Sequence, residues 1–95
     1  MSVAESIEAA LRRALAPTRL EIVDQSHLHA GHAGAREGGE SHYRIVVVSD
    51  AFEGEGRVAR QRRVNAALAE LLAGPVHALS MQLHTPAEDA AQPPG

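Results

Sequence analysis

The chain has 95 residues, one small domain's worth, so its core must be modest. The hydrophobic residues, 44% of the total, are mostly Ala, Val and Leu; Tyr43 and Phe52 are the only large rings, which leaves almost no platform for base stacking. A formal charge of −3 speaks against a general binder of nucleic acid or acidic membranes, and the absence of cysteine excludes disulfides, catalytic thiols and self-supplied thiolate clusters.

All nine basic residues are Arg, a usage that fits a GC-rich genome, so arginine content alone says little about function. The N-terminus lacks the basic-then-apolar pattern of a signal peptide, and no apolar run reaches membrane-spanning length. A cytoplasmic location is expected.

Ser2-Val3-Ala4-Glu5 has the form of a capping box. Val3, Ile7, Ala10, Leu11, Ala14 and Leu15 recur at helical spacing, and Pro17 should end this helix near Leu15 or Ala16. Leu20 to Asp24 reads as a short strand. Ser26 to Ser41 is polar and Gly-rich, with three His, and is long for a hairpin connection; such segments are usually functional or disordered. His42 to Ser49 is the clearest strand, with Ile45-Val46-Val47-Val48 apolar on both faces as suits a central strand. After a turn region from Ser49 to Gly56, helical spacing resumes through Val64, Ala67, Leu68, Leu71 and Leu72. Gly74-Pro75 should stop it, with Gly74 left-handed. Val76 to His84 is a third strand, with His77, Leu79, Met81 and Leu83 on one face and Val76, Ala78, Ser80, Gln82 and His84 on the other. Thr85 to Glu88 can start a short helix. Asp89 to Gly95 reads as a frayed tail, so the expected domain is residues 1–88.

The order helix, strand, strand, helix, strand predicts an α+β fold. Strands one and two should form an antiparallel hairpin, and a right-handed crossover should set strand three parallel to strand two, with the helices on one face of a three-stranded mixed sheet.

This topology brings the 26–41 connection and the start of strand three to the same end of the sheet. His27, His29, His32 and His42 should then lie near His77, with His84 at the opposite end. Neutral imidazoles ligate borderline metals, and two or three of them without a cysteine make an incomplete set, with Glu37 and Glu40 as further oxygen donors. Such a set fits a metal centre completed by a partner; bis-histidine ligation of one iron of a [2Fe–2S] cluster has precedent in Rieske centres. The competing readings are a stand-alone zinc module and ordinary solvated chain.

A second constellation is Arg57, Arg60, Arg62 and Arg63 at the start of the second helix. It reads either as a patch for phosphate or an acidic partner, or as a solvated helix face. Because Arg at a helix N-terminus opposes the macrodipole, the preceding Asp50, Glu53 and Glu55 are the expected pairing partners. No nucleophile elbow, phosphate-cradling loop or paired carboxylates for acid–base work occur, so no enzymatic activity is expected.

Several stretches resemble the BolA family: Ser41-His42-Tyr43 with the β-branched run to Ser49; Phe52-Glu53-Gly54 followed by Arg60 and Arg62-Arg63-Val64; and Leu68-Ala69-Glu70-Leu71 followed by Gly74-Pro75-Val76-His77-Ala78-Leu79. The resemblance covers roughly Ser2 to Glu88. It implies a type II KH-like fold and partnership with a monothiol glutaredoxin, the two proteins bridging a [2Fe–2S] cluster whose Cys and glutathione thiolates come from the glutaredoxin side. The BolA side would offer His77 and a residue of the connection before strand two, most simply His29, with His32 and His27 as alternates. The isolated chain would carry no cofactor and would be a monomer or weak homodimer. The family also implies roles in transcription, DNA binding, and stress or morphology control. Two positions depart from the family pattern. Gln61 stands where His is common between the helix-start arginines, which weakens a nucleic-acid reading. No Trp follows Thr85-Pro86, which implies a shortened or loosely docked last helix.

Overall fold

The computed structural model describes residues 2–25, 42–74, 76 and 78–91. Its elements are α1 (Val3–Leu15), β1 (Arg19–Asp24), β2 (His42–Val48), a 3-10 turn at Asp50–Phe52, α2 (Arg57–Ala67), α3 (Ala69–Ala73), β3 (Ala78–His84) and α4 (Pro86–Ala91). The sheet order is β1-β2-β3. β1 runs antiparallel to β2, and β3 runs parallel to it. This is the expected three-stranded mixed sheet, and it is compatible with a KH-like arrangement.

α1 starts on the capping box read from the sequence. The Glu5 amide donates to Ser2 Oγ at 3.1 Å, and the Ser2 amide donates to Glu5 Oε1 at 2.8 Å. Those bonds hold the Glu5 carboxyl below its usual range, the Ser2 amide contributing most. The helix ends at Ala16 in a left-handed conformation, φ 45° and ψ 57°, ahead of Pro17. Its inner stripe of Ile7, Leu11 and Leu15 is buried against Tyr43, Ile45 and Val47 of β2 together with Phe52, Val64, Leu68 and Val76. Ser49 joins α1 to the strand end: fully buried, its hydroxyl donates to the Leu15 carbonyl at 2.6 Å and accepts from the Ala51 amide at 3.0 Å.

Four local expectations are corrected. The second helix bends at Leu68, although the Leu68 amide still reaches the Val64 carbonyl at 3.0 Å; the bend keeps Leu68 in the core while α3 turns toward α1. Gly74 is not left-handed; its φ is −123°, and the stop is made instead by the Gly74 and Val76 amides, both donating to the Leu71 carbonyl. Val76 therefore still belongs to the helix end and sits in the main core, and the third strand begins at Ala78. The last helix extends through Asp89–Ala91, where a tail was expected. Though short, it is tied to the sheet by the ion pairs of Glu88 and Asp89.

Candidate functional site

Two ends of the sheet carry the candidate chemistry. At one end, the Gln25 amide donates to the His42 carbonyl at 2.8 Å, and Ala78 is the register partner of His42. The residues bracketing the 26–41 segment and the residue following His77 therefore meet at the same place. His84 pairs in register with Val48 at the other end, six residues along the strand and about 20 Å from His42 at ordinary strand rise. The proposed ligands His77, His29, His32 and His27 lie outside the described residues. Among the described residues, no three His, Cys, Asp or Glu side chains gather as a metal set.

The far end holds the arginines. α2 begins beside β3 and α4, and its four arginines divide into two pairs. Arg60 is turned inward, its side chain only 13% exposed. Its Nε donates to the Glu55 carbonyl at 2.8 Å, and Nη1 donates to the Leu83 carbonyl at 3.2 Å. Nη1 and Nη2 grip both oxygens of Glu88 at 2.5 and 3.0 Å, and the guanidinium carbon lies 5.8 Å from the Phe52 ring centre. Arg63 donates to Glu55 Oε1 at 2.6 Å. Arg57 and Arg62 are exposed and make no ion pair among the described residues.

α4 is fixed by this inward arginine and by a second one. Thr85 and Glu88 form a reciprocal cap: the Thr85 amide donates to Glu88 Oε1 at 2.8 Å, and the Glu88 amide donates to Thr85 Oγ1 at 3.2 Å. Arg60 and then the Thr85 amide hold the Glu88 carboxyl down at about 2. The Glu88 hydrogen bond in turn raises Arg60. Next along the helix, Asp89 takes two bonds from Arg19, Nη2 at 2.8 Å and Nε at 3.2 Å. Arg19 shares its sheet face with Val48 and His84, whereas Arg60 lies on the side covered by α2. Successive carboxylates of α4 thus hold arginines on opposite sides of the sheet. The expected partner Glu55 is used, by Arg63, which holds its carboxyl below the usual range; Glu88 and Asp89 are partners that sequence reading did not supply. The signal for Glu88 was present, because Thr85-x-x-Glu88 repeats the capping-box spacing of Ser2-x-x-Glu5.

Between α2, the outer edge of β3 and α4 lies an open groove of about 670 Å³, with Arg57, Met81, Leu83 and Glu88 among its lining. As for membranes, no helix among the described residues is long and apolar enough to cross one.

The architecture and residues match known proteins. The family model described as BolA-like protein matches residues 11–88. BolA-like protein 1 of Mus musculus is 48% identical over 86 residues, 90% of this chain and 60% of the mouse protein. The DNA-binding transcriptional regulator BolA of Escherichia coli K12 is 44% identical over 85 residues, 90% of this chain and 77% of that protein. The BolA domain of SufE1 from Arabidopsis thaliana superposes with a TM-score of 0.81 at 40% identity, covering 93% of this chain and 96% of that domain. The chain belongs to the BolA-like protein family.

Proposed function

We propose that this chain is a non-enzymatic adaptor that binds a monothiol glutaredoxin and shares a [2Fe–2S] cluster with it, in iron–sulfur trafficking or iron homeostasis. The observation that carries this reading is the meeting of Gln25, His42 and Ala78 at one end of the sheet, because those residues flank the 26–41 segment and His77. His77 is assigned as one ligand and His29 as the other, with His32 and His27 as alternates. The donor chemistry suits half a site: a chain with histidine but no cysteine can offer imidazole to one iron, and the thiolates must come from the partner. When bound, the cluster supplies the electron-transfer and iron-delivery chemistry; the chain's own residues hold it and orient the partner.

The test mixes the chain with a monothiol glutaredoxin and glutathione, reconstitutes iron, and records visible absorption and circular dichroism. A spectrum distinct from that of the glutaredoxin alone is expected, and His77→Ala should abolish the difference. If His77→Ala and His29→Ala both leave the mixed spectrum unchanged, the ligand assignment is wrong.

A second reading, a transcriptional regulator binding DNA through the KH-like surface, draws on the name of the Escherichia coli relative. Arg57 and Arg62 are available for phosphate, but Arg60 and Arg63 are engaged within the chain, and Tyr43 and Phe52 are buried. DNA binding that weakens steeply with salt, at a log–log slope of about −0.9 per phosphate contact, and that falls in Arg57→Ala and Arg62→Ala would promote it.

A further inference from the structure

The outer edge of β3 has the features of a docking strand. Exposed sheet edges are normally blunted by Lys, Pro, inward charges or bulges. β1, one edge, carries Arg19, Glu21 and Asp24; β3, the other, reads Ala-Leu-Ser-Met-Gln-Leu-His, with no carboxylate, Lys, Arg or Pro. The His84 carbonyl accepts from the Ser49 amide at 3.0 Å, so His84 and the alternate residues Gln82, Ser80 and Ala78 direct their peptide groups toward β2. Leu79, Met81 and Leu83 direct theirs outward. The Leu83 carbonyl is taken by Arg60, and among the described residues nothing is bonded to the outward groups of Leu79 and Met81.

The groove beside this edge carries a charge preference. Its carboxylates, Glu55 and Glu88, are held by Arg63 and Arg60, whereas Arg57 is exposed and makes no ion pair among the described residues. We infer that the β3 edge takes up an extended peptide of a partner protein as a fourth strand, with an Asp or Glu of that peptide against Arg57. Backbone pairing supplies affinity in this mode, and the flanking charge supplies selection. A second copy of the chain fits less well, because its own β3 has no carboxylate to meet Arg57. Single-stranded nucleic acid fits less well because both aromatic rings are buried. The edge faces the groove at the Met81–His84 end, away from Ala78, so a partner here and one engaging the other end of the sheet need not compete.

The test pans a phage-displayed library of random octapeptides against the full chain. Binding of a synthetic enriched peptide is then measured by calorimetry and by amide hydrogen exchange. Enriched peptides should pair a β-branched stretch with Asp or Glu, and the synthetic peptide should slow exchange at Leu79 and Met81. Arg57→Glu, an exposed change that suits a helix N-terminus, should weaken binding about tenfold or more, and changing the peptide's acid to Lys should restore it. Met81→Pro, which removes one outward donor from an edge strand, should weaken binding independently of charge. The proposal is overturned if no peptide is enriched, or if bound peptide leaves both amides exchanging as before or binds Arg57→Glu equally well. It is equally overturned if the same amides are protected only by oligonucleotide or by self-association.

Discussion

The first and last helices are fastened to the same sheet by opposite means. α1 buries Ile7, Leu11 and Leu15 in the main core; α4 has no buried residue and is held by Arg60 on Glu88 and Arg19 on Asp89. Apolar burial ties a helix to the stability of the whole domain, is nearly indifferent to pH and is not screened by salt. Ionic fastening at a half-exposed site is local and conditional, because it needs both charges present and is screened by salt. One small fold thus has a permanent end and a releasable one.

Leu11→Ala should break the permanent end. Removing a fully buried leucine costs about 3 kcal/mol, read as a lower denaturation midpoint for the whole chain; a loss under about 1 kcal/mol would show that α1 is not held by its apolar stripe. Arg60→Ala should cost about 2 kcal/mol, because it leaves the partly buried Leu83 carbonyl without its donor and releases Glu88. Glu88→Gln is the sharper contrast: amide exchange in α4 should quicken while that of Ile7, Leu11 and Ile45 stays the same.

The same contrast has a pH signature. The Glu88 carboxyl lies at about 2 in the folded chain against an ordinary 4.5, so folding favours its charged form. Its contribution is complete above the ordinary value and is lost as pH falls toward 2. Amide protection in α4 should therefore decline between about pH 5 and 2, and the Glu88 side-chain carbon should titrate near the lower limit. A midpoint near 4.5 would mean that the Arg60 clasp is not formed. The smallest effect is a gain. Ala16 sits at φ 45°, where a Cβ is unfavourable, so Ala16→Gly should stabilise the chain by up to about 1 kcal/mol in the same denaturation assay.

What could be read from the sequence follows the range of the forces involved. The Ser2 capping box, the apolar α1 stripe and the β-branched run of β2 are local patterns, and each is where periodicity places it. The bend at Leu68 and the attachment of Val76 to the helix end are set by packing between elements, which spacing along one element does not record. The arginine cluster shows the same limit. Four arginines in seven residues look equivalent as a string, yet Arg63 is taken by the nearby Glu55 and Arg60 by Glu88, a partner that only the tertiary position of α4 supplies. The element order located the topology that brings Gln25, His42 and Ala78 together, and the resemblance located the family. The ligand assignments His77, His29, His32 and His27 concern residues outside the described set, so they stand on the family resemblance and on donor chemistry.

Imidazole ligation shared between the two proteins can be read by pulsed electron paramagnetic resonance on the reduced mixed complex. The chain is labelled with nitrogen-15 histidine and the glutaredoxin is left unlabelled. Strong nitrogen-15 hyperfine coupling to the cluster is expected, part of which disappears in His77→Ala. A fully assembled mixed complex with no histidine coupling from this chain would contradict it.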